Sequence, residues 1–383
     1  MKTRLVKLGF GTLLLALACA GHAGSRWPEF PVAAKLTAGA RVGDMVYAGL
    51  GTAGKSWFGL DLTKPGASWR SLADFPDAPR DSATAVTVGG QILILAGQGK
   101  THPQDKALQM FDTVYRYDPV KDSWSKLPTR MPLGGLASAA VSLDEQRILV
   151  FGGVNKAIFD GYFQDYFVGA GGDAAQQEAV ANAYFDQRPQ DYLFTAQVLS
   201  YEPSSNKWRF VGMDPARPTV GAGLAVKGSQ ITLVNGEIKP GLRSPDVKQV
   251  TVDAAGKLTW EVEKLAAPNS AEPQEGVAGA FAGYSANALL VAGGTNFPGA
   301  WKQFSAGQNY AHKGLKKIWR DEVYARIDGH WRVVGKLPQA LSNGAHVQSN
   351  EGLLIIGGEL QGGGASKEVI ELRWNGTALE IIR

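Results

Sequence analysis

The segment Gly236-Glu237-Ile238-Lys239-Pro240-Gly241-Leu242-Arg243 places a carboxylate, an ammonium and a guanidinium within eight residues. In isolation such a set reads as plain surface ion pairing. In one concave site it offers more. Glu237 could accept a proton, and Arg243 could grip the carboxylate of a small anionic ligand through two parallel hydrogen bonds. Other polar residues fall in comparable loop or strand-entry positions: Arg80 with Asp81, Asn155, Asn309 and His312, with Lys100 and Glu359 as weaker additions. Glu237 as a carboxylate base and Arg243 as an anion grip are therefore the expected centre of a binding site, with Arg80, Asp81, Asn155, Lys239, Asn309 and His312 as its further polar contacts.

The elements that must position them repeat. Six short apolar runs end in the doublets Ala48-Gly49, Ala96-Gly97, Gly152-Gly153, Asn235-Gly236, Gly293-Gly294 and Gly357-Gly358. An apolar strand follows each doublet, and usually a strand bearing Trp comes after it. Tyr117-Asp118-Pro119 leads to Trp124 and Tyr201-Glu202-Pro203 to Trp208 at the same spacing, with Trp69, Trp260 and Trp331 in looser versions and Ala378 in the last unit. This self-similarity predicts an all-β fold, a six-bladed kelch-type β-propeller with four antiparallel strands per blade. The blades are expected at about 33–73, 80–128, 134–212, 218–267, 276–337 and 342–383. How the ring closes, and whether Trp27–Phe30 takes part, is left open by the sequence.

Insertions fall in the loop after the second strand: Gln98–Asp112, Val154–Thr195 and Thr295–Arg320. The longest reads Ala-Gln-Gln-Glu-Ala-Val-Ala and predicts a helix over roughly Asp173–Tyr184. All these loops lie on the same face as the entries to the first strands. The opposite face has only tight turns such as Val88-Gly89-Gly90. Long loops on a rigid scaffold build binding sites, so one decorated funnel should gather the polar residues.

The chain starts with Lys2, Arg4 and Lys7, an apolar Leu8–Ala18 stretch and small residues to Ala23. Residues 1–23 read as a cleaved secretory signal, and residues 24–383 as the propeller. The reading sends the protein out of the cytoplasm, with no later segment long and apolar enough to span a membrane. The single cysteine, Cys19, lies in that signal, and a lipid anchor on it is disfavoured because Ala16 stands where such signals prefer Leu. Lys and Arg number 39 against 35 Asp and Glu, but three of the former and none of the latter fall in residues 1–23, so the remainder carries +1. No basic tract is left to suggest nucleic acid.

Several chemistries are excluded. The five histidines include none paired at metal-ligand spacing, so no metal is expected. There is no Gly-x-Ser-x-Gly elbow and no phosphate-binding Gly-x-x-x-x-Gly-Lys-Ser/Thr. A copper-radical propeller needs a cysteine the mature chain lacks, and the Ser-x-Asp-x-Gly-x-x-Trp turns of sialidase propellers are missing.

Specific loop stretches carry a resemblance. They are Gly49-Leu50-Gly51-Thr52-Ala53-Gly54 with Trp57, Pro79-Arg80-Asp81, Gly153-Val154-Asn155 continuing to Ile158-Phe159-Asp160-Gly161-Tyr162-Phe163, Asn235 through Arg243, and Asn309-Tyr310-Ala311-His312-Lys313-Gly314-Leu315-Lys316-Lys317. From about Pro28 to the C-terminus the chain resembles bacterial periplasmic N-acetylneuraminate epimerases, the sialic acid mutarotases. The resemblance implies interconversion of the α and β anomers of N-acetylneuraminate in aid of its uptake, without a cofactor, with Glu237 as proton acceptor, Arg243 implicated in activity, and a homodimer. The acid partner stays open among His312, Tyr162 and Tyr310, each of which fits a substrate hydroxyl contact better than the acid. The alternatives are a non-catalytic periplasmic propeller that binds sialic acid or another glycan, and a protein-interaction ring.

Overall fold

The computed structural model describes residues 27–64 and 66–383; the signal assigned to residues 1–23, with Cys19, lies outside the described residues. Six antiparallel sheets stand around one axis. Their four principal strands fall within Ala38–Ser71, Thr84–Arg130, Ala139–Met213, Gly223–Lys264, Phe281–Lys336 and Leu341–Ile382. Within each blade the strands pair in chain order, first to second to third to fourth. The six first strands line an axial cavity of about 650 Å³. They are rich in Ala, Gly and Ser because six backbones converge there, and larger side chains would collide.

The doublets have a conformational cause. Both residues take left-handed backbone angles, as in Gly152 and Gly153 (φ 67° and 112°) or Asn235 and Gly236 (φ 55° and 96°). Glycine and asparagine tolerate that region best. In the first blade the left-handed pair is Leu50-Gly51, not the Ala48-Gly49 expected from the repeat, since the second strand runs on to Gly49. The doublet also touches the next blade. A side chain at Gly152 would stand 2.1 Å from the carbonyl of Thr219, and one at Gly357 2.6 Å from that of Ala34.

That last contact shows how the ring closes. Gly236 and Gly294 donate their N–H to Val277 and Leu341 of the following blade; Gly358 of the sixth blade does the same to Ala34, just before the first. The residues entering the first strands add a run of backbone hydrogen bonds from blade to blade: Ser82 to Leu36, Leu36 to Asn343, Asn343 to Gly279, Gly279 to Gly221 and Gly221 to Ala137. Each blade is thus built from one continuous stretch of chain, and the ends are joined by the junctions used elsewhere. The Trp27–Phe30 stretch is a clasp over the seam. Phe30 is buried with Phe58 and Trp69, and the Trp27 indole donates to buried Glu371 at 3.0 Å.

The repeated tryptophans staple neighbouring blades. Trp124 donates to the Ala73 carbonyl (2.8 Å), Trp208 to Thr129 (3.0 Å) and Trp331 to Glu263 (2.9 Å), each on the blade before. Trp69 of the first blade has the clasp as its partner, donating to the Pro28 carbonyl. An indole gives each wedge a large apolar body and one polar handle.

The insertions cap one face, as expected. The helix predicted near 173–184 spans Ala174–Phe185 (α2), with Asp173 capping its start through the N–H of Gln176. Two further helices were not predicted: Lys156–Gln164 (α1) and the short Ala300–Ser305 (α3).

Candidate functional site

The left-handed turn at Asn235-Gly236 lifts the chain off the fourth blade into a small hairpin, Glu237–Lys239 against Leu242–Arg243. Pro240-Gly241 makes its turn, with Gly241 left-handed at φ 83°. Glu237 and Arg243 are direct partners across it, and Glu237 Oε1 lies 2.6 Å from Arg243 Nη1. The Gly241 N–H donates to the same oxygen at 3.3 Å. Arg243 Nε donates to the Thr295 carbonyl at 3.2 Å, and the guanidinium stands 4.9 Å from the centroid of Phe297. The arginine side chain is 7% exposed and the glutamate 24%. Burial lowers the guanidinium's affinity for its proton while the Glu237 charge restores part of it. The carboxylate is thus the accessible member of a fixed pair.

Lys239 continues the same strand but points beneath the cap. Its ammonium donates to the carbonyls of Phe185 (2.9 Å), Gln187 (2.5 Å) and Asn309 (2.5 Å), and burial pushes it down to about 8. An ammonium has three donors, and all three are engaged. One cation ties together the hairpin, the end of α2 and the loop of the fifth blade. His312 packs on the hairpin turn. Burial, then the nearby charges of Arg243 and Lys239, push it down to about 4, so it is neutral at ordinary pH. Its Nδ1 is buried without a hydrogen-bond partner.

Aromatic rings arch above the pair. Tyr162 of α1 stacks on Tyr184 of α2 at 4.1 Å, and Phe185 meets Tyr310 and His312 at 5.1 Å each. His312 in turn packs against Phe297, the ring under Arg243. Both neighbouring phenols, Tyr184 and Tyr192, are held protonated by burial, with the Glu237 charge contributing.

A sequence profile of the N-acetylneuraminate epimerase family matches residues 27–381. The chain belongs to the N-acetylneuraminate epimerase family. It is 43% identical over 382 residues to the N-acetylneuraminate epimerase of Yersinia enterocolitica, covering 100% of this chain and 97% of that one. It is 42% identical over 378 residues to that of Haemophilus influenzae strain PittEE, covering 99% and 100%. A solved structure described as YjhT superposes with a TM-score of 0.88 at 37% identity, over 94% of this chain and all of that one.

For an epimerase of this family the expected contacts divide into two groups. Glu237, Arg243, His312 and Tyr162 belong to the hairpin and its arch. Asn309 joins them through its carbonyl, bonded to Lys239. Lys239 is a structural tie with no donor left for a ligand. Arg80 also departs from expectation. Its side chain is fully buried under the second blade's doublet, bonded to the Ala96 carbonyl (3.0 Å), Thr113 (3.1 Å) and Asp77 (3.0 Å), between the rings of Phe75 and Phe111. Entry to a first strand placed it correctly along the chain, but its side chain turns into the blade. Asn155 caps α1, its Oδ1 accepting from Ala157 and Ile158. Asp81 lies at the rim in backbone pairing with Gln98, its proton affinity raised by burial and countered by Lys35. Glu359, which holds the position after the doublet that Glu237 holds in its own blade, is clamped between Lys35 (3.1 Å) and Lys317 (2.8 Å). Tyr184, Phe185, Tyr192 and Phe297 were not foreseen; the only sequence signal for them was the density of aromatics within the long insertions.

Proposed function

We propose that this chain interconverts the α and β anomers of N-acetylneuraminate, opening the sugar ring and reclosing it on the other face of C2. The single observation that carries the reading is the Glu237–Arg243 pair at 2.6 Å, with the carboxylate as its accessible member below an aromatic cap. Glu237 takes the proton from the anomeric hydroxyl as the bond from C2 to the ring oxygen breaks and an acid delivers a proton to that oxygen; both transfers reverse when the ring recloses. A positioned base of this kind contributes about 10²–10⁴-fold. Arg243 holds that carboxylate in one orientation through its own bonds to Thr295 and the Phe297 face. The arch supplies flat apolar surface for the sugar and its acyl group, and His312, being neutral, can offer or accept a hydrogen bond without adding charge.

The basic, apolar and small-residue start of the chain supports export to the periplasm, where such an activity would convert released sugar to the anomer taken up. The test is proton NMR of N-acetylneuraminate generated as its α anomer. Catalytic amounts of protein should hasten its relaxation; saturable binding with an unchanged rate would support a binding module instead.

A further inference from the structure

We propose that Tyr184 supplies the proton that the ring oxygen takes up when the sugar opens, so that Glu237 and Tyr184 act as base and acid of one pair; this rests on the mutarotase reading above.

Position comes first. Tyr184 is the penultimate residue of α2, and Lys239 holds the carbonyls of Phe185 and Gln187 immediately after it. Lys239 stands two residues from Glu237 on one strand. The strand that carries the base therefore also fixes the helix end that carries the phenol. Tyr184 packs in one cluster with Tyr192 and Val220. Val220 exchanges both backbone hydrogen bonds with Glu237, at 3.0 and 2.8 Å. The ring thus belongs to the same apolar cluster as the residue that pairs with the base.

Availability singles it out among the polar rings. The Tyr192 hydroxyl is engaged, donating to the Tyr184 carbonyl. His312 is held neutral, so it carries no imidazolium proton to give, and its Nδ1 is shut against Gly241. Tyr162 stacks on the Tyr184 ring, and neither Tyr162 nor Tyr310 feels the Glu237 charge that Tyr184 does. The Tyr184 hydroxyl makes no hydrogen bond among the described residues, while its ring is fixed between Tyr162 and Tyr192.

The chemistry balances. Glu237 accepts the anomeric proton, the C2–O bond to the ring oxygen breaks, a C2 carbonyl forms, and Tyr184 protonates the departing alkoxide, a stronger base than phenolate. On reclosure the hydroxyl attacks either face of the carbonyl, the phenolate recovers its proton and Glu237 returns its own. Burial and the Glu237 charge both keep the phenol protonated beforehand. Protonation of Glu237 removes that charge, so Tyr184 becomes a stronger acid at the moment it must donate.

The experiment compares the full-length mature protein with Tyr184→Phe and Glu237→Gln in the NMR exchange assay. Tyr184→Phe should keep KM and thermal midpoint and lose about 10²-fold in kcat, with partial recovery as buffer acid is added. Wild-type exchange in Tyr184→Phe while Glu237→Gln is inactive would overturn the acid assignment and leave the base standing, as would a raised KM at unchanged kcat. No acceleration by the wild type would overturn both. If the Phe variant unfolds, a difluorinated tyrosine at position 184 preserves ring and hydroxyl; an unchanged kcat for that protein would overturn the proposal, and an altered one would support it.

Discussion

The imidazole of His312 is seated directly on the backbone of Gly241: a methyl group at Gly241 would stand 1.7 Å from His312 Nδ1. The same glycine is left-handed and donates its N–H to Glu237. A residue with no functional group therefore sets the hairpin turn, the carboxylate and the histidine together. Gly241→Ala should lower stability by about 1–3 kcal/mol and kcat by about 10²-fold through misplacement of the base. Denaturant unfolding and exchange kinetics check both, and a variant normal in each would contradict this geometry.

Arg243→Lys keeps the charge but loses the planar fork that reaches Glu237 and Thr295 together. The expected outcome is a drop in kcat of about 10²-fold. The folded state should lose about 1–3 kcal/mol, because the charged hydrogen bond from Arg243 to the Thr295 carbonyl is lost and that oxygen keeps only the Ala278 N–H. Calorimetry and exchange rates measure the two effects separately.

Lys239→Met preserves the length of the side chain and removes the ammonium that joins Phe185, Gln187 and Asn309. Three carbonyls lose one charged donor, so stability should fall by roughly 2–5 kcal/mol. Hydrogen exchange should quicken at the end of α2 and in the loop near Asn309 before the blades respond. Uniform exchange across the cap would contradict its role as the tie.

Stability should decline on acidification through the histidines. His312 and His346 are both pushed from 6.5 to about 4, chiefly by burial. The unfolded chain binds more protons than the folded one between those values, so their contribution is present above 6.5 and is lost as pH falls from 6.5 to about 4. Thermal midpoints across that window should decline, and His312→Asn should flatten the decline.

The propeller was legible because its repeat is local: apolar run, left-handed pair, late tryptophan. The Glu237–Arg243 pair was legible for the same reason, since a Pro-Gly turn brings residues six apart face to face. Direction of side chains was less legible. Alternation along a strand put Lys239 with Glu237, but not which of the two would reach the funnel; entry position put Arg80 at the rim, but not its turn into a pocket of Asp77, Thr113 and three aromatic rings. Asn155 read as a polar rim residue because the helix it caps was not foreseen. The arch was hidden because it joins α1, α2 and the fifth blade's loop across more than a hundred residues, as in Phe185 against Tyr310. Closure of the ring depends on Ala34 and Gly358, a pairing that no local pattern announces.

The central claim is that Glu237 is the base of an anomer exchange. The most direct measurement is the rate of α to β conversion of N-acetylneuraminate by proton NMR, wild type against Glu237→Gln, with folding checked by thermal unfolding. The account predicts a folded variant that still binds the sugar and has lost about 10²–10⁴-fold in rate. A folded variant that exchanges the anomers as fast as the wild type would contradict it.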